Sequence, residues 1–446
     1  MLDIKLYSSN INSDTMKRKE IVLFMTVGTG FNSNSEEEGF RLLAQKLYST
    51  INKIYPNYVI FFASQRSKHT IEYIEELFQK DNDEFIINQD YEIISIEAID
   101  DFNSCFESFE SKIWELDYKN ENEKKYEIIM DYTSGTKTMS AAMACCGMFY
   151  SKALISIGGD RSTGEVSAGT EIINYQNLYK IYDKFALMRI MNNFNSNRFM
   201  PCIDILNYIV DLSIHKDSLL NLCKAYYSWD IMEFEEAYNY LIKVNTKQIE
   251  FVEIKKDIKK NLNALGNIVN SKSINLKNCY ILASLINNSI RKAEDYKYDD
   301  AIARLYRSFE LIAQIELTKY NIKSSDIDIS LLKKNNVSDE FIEEIEKTIE
   351  DGKIRLGLSK DFLLLNELGN DLGKYYVENE SPIKNLTQKR NNSILAHGLE
   401  SQTKEDFEKF LDMVLTLSHK LDKDMNKFIK ETKFAKFDIK LKINAF

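Results

Sequence analysis

The sequence predicts an α/β half with a mostly parallel sheet, followed by an all-α half. Three observations carry that prediction. Apolar runs alternate with amphipathic stretches from residue 20 to about 180. The strand signal then stops, and amphipathic helical patterns follow one another almost to the end. Only three prolines interrupt 446 residues, so few helices are broken.

The elements read off in order. "EIVLFMTVGTG" is a continuous apolar run closed by glycines, as expected of a strand buried on both faces. "EEEGFRLLAQKLYSTINKIY" is amphipathic and reads as a helix. "NYVIFFAS" is a second strand, "TIEYIEELFQ" a second helix, "YEIISIEAI" a third strand and "FNSCFESFESKIWELDY" a third helix. "KYEIIMDYTSGTKTMSAAMA" runs from a fourth strand into a fourth helix. "KALISIGGD" and "GTEIINY" supply two further strands. Alternation of this kind implies right-handed parallel crossovers. Residues 184–290 then read as consecutive helices, and 285–430 as a second helical block. "AYYSWDIMEFEEAYNYL" and "AEDYKYDDAIARLYRSFEL" echo one another, as two helical hairpins would. The final "FAKFDIKLKINAF" alternates apolar and polar residues from Phe437 onward, a strand pattern. Residues 1–15 stand outside the pattern as an arm. The expected organisation is therefore an arm at 1–15, an α/β domain at 16–183, a helical linker domain at 184–284 and a second helical domain at 285–446.

Composition narrows the function classes. At 44% hydrophobic and 12% aromatic residues the chain can bury a sizeable core. A net charge of −10 argues against a protein that coats nucleic acid, though not against an enzyme that meets RNA in a local pocket. The six cysteines form no C-x-x-C pair and show no zinc spacing, so reduced, buried thiols and no metal site are expected. "MSAAMACCGMFY" is too short to span a bilayer, and the N-terminal stretch has no apolar signal segment. A cytoplasmic protein without a membrane partner is the expectation.

Four stretches gather at the carboxyl ends of the predicted strands, where open α/β sheets bind ligands. Gly28, Thr29 and Gly30 in "VGTG" let a ligand approach the backbone, but Ser33 breaks the G-x-G-x-x-G fingerprint of dinucleotide sites. Ser64, Gln65 and Ser67 in "SQRS" offer polar groups at the same edge; Ser64 or Ser67 can equally N-cap the next helix. Thr133, Ser134, Gly135, Thr136 and Lys137 in "DYTSGTKTM" lead into a helix whose free amides favour an anion, with hydroxyls and the lysine as further donors. The spacing is not that of a P-loop. "GGDRSTGEVSAGTE" is a glycine-punctuated hairpin whose Arg161 can reach the same rim. This half reads as a sensor of a phosphate-rich nucleotide.

In the helical half, "RNNSILAHG" holds one of only four histidines. If the helix continues through it, Arg390 and His397 project from one face, about 20° out of line. Ile394, Leu395 and Ala396 would then mark a buried side, and Gly398 would end the helix. Histidine suits proton transfer near neutrality, and the planar guanidinium suits phosphate oxygens. The plain alternative is a solvent-exposed pair. His69 reads as a helix-start residue, and His215 and His419 as packing positions.

Taken together, "VGTG", "SQRS", "DYTSGTKTM" and "GGDRSTGEVSAGTE" resemble the CARF domain (CRISPR-associated Rossmann fold). "RNNSILAHG" resembles the HEPN ribonuclease motif, and "YDDAIARLYRSFELIAQ" the helix that precedes it. The order of these motifs is similar to that of the CARF–HEPN ancillary ribonucleases of type III CRISPR systems, over about 16–180 and 285–400. The resemblance implies a Rossmann-like sensor and a helical HEPN domain. It implies a homodimer that binds a cyclic oligoadenylate, tetra- or hexa-adenylate, as allosteric activator and needs no other cofactor. It implies metal-independent cleavage of single-stranded RNA with 2′,3′-cyclic phosphate products, by a catalytic set of Arg390, Asn391 and His397. The ligand set would be Gly28, Thr29, Gly30, Ser64, Gln65, Ser67, Thr133 to Lys137 and Arg161. Six residues between Arg390 and His397 is the long end of the motif's range, and Ser134 stands where such loops often have glycine. Competing readings are a ligand-binding regulator with an inactive helical half, and a sensor that also degrades its cyclic activator.

Overall fold

The computed structural model describes residues 20–30, 35–81, 85–86, 89–122, 126–160, 170–176, 178–209, 216–248, 251–347, 349–350 and 353–438. The chain folds as two compact units, residues 1–178 and 179–446. The arm at 1–15, Arg161, His215 and the chain from 439 onward lie outside the described residues.

The first unit runs β1 (Glu20–Val27), α1 (Glu36–Ile54), β2 (Tyr58–Ala63), α2 (Lys68–Lys80), β3 (Tyr91–Ser95), α3 (Phe102–Asn122), β4 (Tyr126–Asp131), α4 (Lys137–Phe149), β5 (Ala153–Gly158) and β6 (Ile172–Tyr175). The six strands lie in the order β3-β2-β1-β4-β5-β6. The first five are parallel and β6 returns antiparallel on the edge. Strand side chains alternate, so β1 sends Val22 and Phe24 to one face and Leu23, Met25 and Val27 to the other. One face packs on α3 and α4 through Phe109, Ile113 and Met143, the other on α1 and α2 through Leu47, Ile51 and Ile74. Burial on both faces explains why these strands read as unbroken apolar runs. The strand order reverses between β1 and β4, and the loops that follow these two strands flank that point.

The second unit runs α5 (Tyr179–Asn195), α6 (Phe199–Tyr208), α7 (Lys216–Asp230), α8 (Phe234–Leu241), α9 (Lys255–Asn270), α10 (Ile274–Glu294), α11 (Tyr298–Thr318), α12 (Ile329–Lys334) and α13 (Asp339–Glu346). A short hairpin follows, β7 (Ile349–Glu350) and β8 (Lys353–Ile354), then α14 (Leu358–Glu367), α15 (Asp371–Glu378), α16 (Glu380–Asn391), α17 (Lys404–Leu421) and α18 (Met425–Glu431). One continuous core, from Leu187 to Phe437, serves the helices on both sides of residue 284. The two echoing stretches each contain a helix end closed by the same kind of turn. Met232 (φ 66°) and Tyr296 (φ 60°) are left-handed, and the next residue in each turn bonds back five residues, Glu233 to Ser228 (2.8 Å) and Lys297 to Lys292 (2.9 Å). The same helix-ending turn recurs at Ser151, Asn197, Asn321, Asn336 and Gly369.

The segment after α18 is not a strand over its described residues. Asn261 donates to the carbonyls of Glu431 and Lys433 (both 2.8 Å), and Asn195 exchanges two bonds with the main chain of Phe437 (2.7 and 2.8 Å). Side-chain amides hold the main chain here, and most of the alternating stretch that begins at Phe437 lies outside the described residues.

Candidate functional site

The loop after β4 is fastened to the loop after β1. The Ser134 hydroxyl accepts from Gly28 N–H (3.0 Å), and Thr26 and Ser140 donate to the Ser134 carbonyl, Ser140 at 3.0 Å. Gly135 adopts φ +86°, a left-handed conformation that only glycine adopts without strain. A Cβ on Gly28 would lie 3.1 Å from Gly135 N, so the two glycines meet backbone to backbone. Thr70 of α2 donates to the Gly28 carbonyl (2.9 Å). Gly30 (φ +70°) passes so close to α1 that a Cβ would stand 2.1 Å from the Gly39 carbonyl. Thr29 is half-buried and Gly30 exposed.

The hydroxyls expected to serve as ligand donors are largely committed within the protein. Thr133 donates to Asp131 Oδ1 (2.5 Å), and its oxygen accepts from Ile157 N–H (2.8 Å). Thr136 donates to the Ile99 carbonyl (2.9 Å) and caps α4 by accepting from Met139 N–H (3.2 Å). What faces outward is the exposed Lys137, the outer surface of Thr133 and the first backbone amides of α4. No sequence motif marks Asp131. It is fully buried, its Oδ2 has no hydrogen-bond partner, and burial pushes its carboxyl up to about 6 despite two bonds from Thr133. At the end of β2, Ser64 and Ser67 bond reciprocally, Ser64 N–H to Ser67 Oγ at 2.9 Å and Ser67 N–H to Ser64 Oγ at 3.1 Å. Ser67 is only 1% exposed, and its side chain does not cap the helix. Gln65 is exposed, while Arg66 pairs with Glu36.

In the second unit the helix expected to carry both Arg390 and His397 ends at Asn391. Asn391, Asn392 and Ser393 follow one another, and all three compete for backbone hydrogen bonds. The chain then folds back. His397 N–H donates to the Asn391 carbonyl (3.0 Å), Gly398 N–H to Ser393 (3.2 Å) and Glu400 N–H to Asn392 (3.0 Å). His397 is thereby returned beside the end of α16 by a loop rather than by helical periodicity. Ile394 and Leu395 are 65% and 49% exposed, so the expected buried side does not exist; Ser393 is the buried residue instead. Gly398 is required for a different reason than ending a helix: a Cβ there would stand 2.0 Å from the Asn392 carbonyl.

Residues invisible to motif reading clamp the loop. Gln402 donates to the Lys389 carbonyl (3.0 Å) and its N–H to Asp299 (3.4 Å). Lys389 reaches Asp406 (2.6 Å), which also forms the capping box of α17 with Thr403. Burial would raise the Asp406 carboxyl, but Lys389 and Thr403 hold it below its usual range. Arg390 lies over the Tyr306 ring, its Cζ 4.3 Å from the centroid, and donates through Nη1 to Asn391 (3.1 Å). The Arg390 Nε is buried without a partner, and no carboxylate pairs with Arg390 among the described residues. His397 is exposed. All six cysteines are free, and no metal-binding cluster or membrane-spanning helix occurs among the described residues.

Comparisons agree with this two-part architecture. Residues 182–272 match the model of the Csm6 6H domain, and residues 270–421 that of the Csm6 HEPN domain. Enterococcus italicus Csm6, solved bound to cyclic hexa-2′-fluoro-hexa-dAMP, superposes with a TM-score of 0.55 at 14% identity, over 93% of this chain and 98% of that one. No curated protein matches the sequence. A Rossmann-like sheet unit followed by HEPN helices defines the class of CARF–HEPN ancillary ribonucleases of type III CRISPR systems. Within that class the chain belongs to the Csm6 family.

Proposed function

We propose that the protein is an endoribonuclease for single-stranded RNA, switched on by a cyclic oligoadenylate held in the first unit and active as a homodimer in type III CRISPR defence. The observation that carries the reading is the "RNNSILAHG" loop. Among the described residues it leaves a guanidinium with no carboxylate partner and an exposed imidazole anchored beside the same helix end. The cyclic hexa-2′-fluoro-hexa-dAMP bound by the structural neighbour supports a ring-shaped adenylate activator.

In the reaction, the ribose 2′-oxygen attacks the adjacent phosphorus and the bond to the 5′-oxygen breaks. His397 takes the 2′-hydroxyl proton or supplies the one the 5′-oxygen needs. Arg390 stabilises charge on the non-bridging oxygens, and Asn391 holds Arg390 through its side-chain oxygen. These groups suffice without a metal ion. Exposed Ile394, Leu395 and Leu399 surround the loop with apolar surface, which suits a second copy of the chain bringing its own Arg390 and His397. In the sensor, Lys137 and the amides of α4 would hold phosphate, with Gly28 to Gly30, Gln65 and Thr133 at the rim. Ser64, Ser67, Ser134 and Thr136 shape that rim. Ligand binding would favour the cleaving arrangement of the HEPN pair.

The test is the chemistry of the ends. Single-stranded RNA cut in the presence of the cyclic activator and EDTA should carry 2′,3′-cyclic phosphate and 5′-hydroxyl termini. Ends with 3′-hydroxyl and 5′-phosphate would overturn the mechanism.

A further inference from the structure

An arginine that stabilises a phosphorane must be held still without being neutralised. A carboxylate would fix its plane but would compete with the phosphate for its charge and its donors. Arg390 is held in another way. Of its five N–H donors, Nη1 bonds Asn391 at 3.1 Å and Nε is buried with no partner among the described residues. Its guanidinium carbon lies 4.3 Å from the centre of the Tyr306 ring. Tyr306 is half-buried on α11, a helix whose neighbouring Leu305 and Phe309 are fully buried and which packs against α14, α16 and α17. The ring is therefore held by the packing of its helix.

We propose that Tyr306 is a positioning residue for RNA cleavage: its ring face holds the Arg390 guanidinium in place while leaving charge and donors free for the scissile phosphate. This rests on the assignment of Arg390 made above. A π face attracts a cation without consuming its N–H groups, which a carboxylate cannot do. The sequence offers no signal for the pair, because 84 residues separate its members.

The experiment uses the full chain with its cyclic activator and compares Tyr306→Leu, Tyr306→Phe and Tyr306→Trp in steady-state RNA cleavage. Loss of the ring should lower kcat about 10-fold with KM for RNA within about 2-fold. Tyr306→Phe and Tyr306→Trp, which keep a π face, should stay within about 3-fold of the parent in kcat. A purely structural role predicts instead that cleavage follows thermal stability across the three variants. Should Tyr306→Leu fail to fold, Tyr306→Met against Tyr306→Trp carries the same contrast. The proposal is overturned if the leucine variant keeps its kcat, if Tyr306→Phe falls as far as Tyr306→Leu, or if ring loss raises cleavage without activator. Arg390→Ala, run alongside, separates the two readings: full activity in that variant would sink the assignment of Arg390 itself, whatever Tyr306 does.

Discussion

The loop at residues 131–137 and the loop at residues 390–402 each depend on one glycine, yet they use their polar side chains in opposite ways. In the first, Thr133, Ser134 and Thr136 turn their hydroxyls inward and bond to Asp131, Gly28, Ile99, Ile157 and Met139. In the second, the inward work falls to Gln402, Lys389 and Ser393, while His397 stays exposed and Arg390 bonds one side chain, Asn391, among the described residues. The first loop is held in place by its own side-chain hydroxyls. The second presents reactive side chains ringed by exposed Ile394, Leu395 and Leu399, as half of a site would. Sensor loops gain from rigidity before the ligand arrives; a composite site must wait for its second half.

The largest expected effects come from breaking each loop at its glycine. Gly398→Ala drives a Cβ into the Asn392 carbonyl and should reduce RNA cleavage about 10²-fold or more. Its affinity for the cyclic activator, measured by titration, should stay within about 2-fold of the parent. Gly135→Ala is the mirror case. Its left-handed φ and the approach of Thr26 should cost the sensor about 10-fold in activator affinity. Equal loss of both properties in either variant would erase the distinction between the loops.

A smaller effect is expected at the rim of the second loop. Leu399 is 90% exposed, so Leu399→Asp should leave thermal stability unchanged. It should weaken self-association about 10-fold, read by sedimentation, and lower cleavage at low protein concentration. Unchanged self-association would remove the apolar rim from the account.

The smallest effects are in pH dependence, where the two units can again be compared. Asp131 in the first and Asp361 in the second are both buried carboxyls, raised to about 6 and about 7, chiefly by burial. Ser324 hydrogen-bonds Asp361 and only partly offsets that burial. Each folded pKa lies above its unfolded value, so the neutral acid is the stabilising form. That stability is complete below about pH 4 and is lost as pH rises through 6 to 7. Asp361→Asn should therefore flatten the fall in Tm between pH 5 and pH 8 by a few degrees. An unchanged slope in thermal melts would show that Asp361 does not titrate in this range.

Much of the first unit was legible because parallel strands buried on both faces leave unbroken apolar runs, as at Val22–Val27 and Val59–Ala63. The loops at β1 and β4 followed from the glycines that end those strands. The direction of the hydroxyls did not, because their partners Asp131, Ile99 and Ile157 are fixed by packing rather than by spacing. At Arg390 the sequence suggested a continuing helix where the structure has a loop that folds back. Seven-residue spacing looks the same whether a helix continues or a loop folds back, and only the run Asn391-Asn392-Ser393 argues for the end. Tyr306, Asp299 and Gln402 could not be found at all, since their roles arise from contacts between helices distant in sequence.

The most direct measurement is RNA cleavage by the full chain with and without cyclic tetra- or hexa-adenylate, in EDTA, with His397→Ala beside it. The account predicts cleavage that appears with one of the rings, persists in EDTA and falls about 10²-fold or more in the variant. Cleavage that needs neither ring, or that survives intact in His397→Ala, would contradict it.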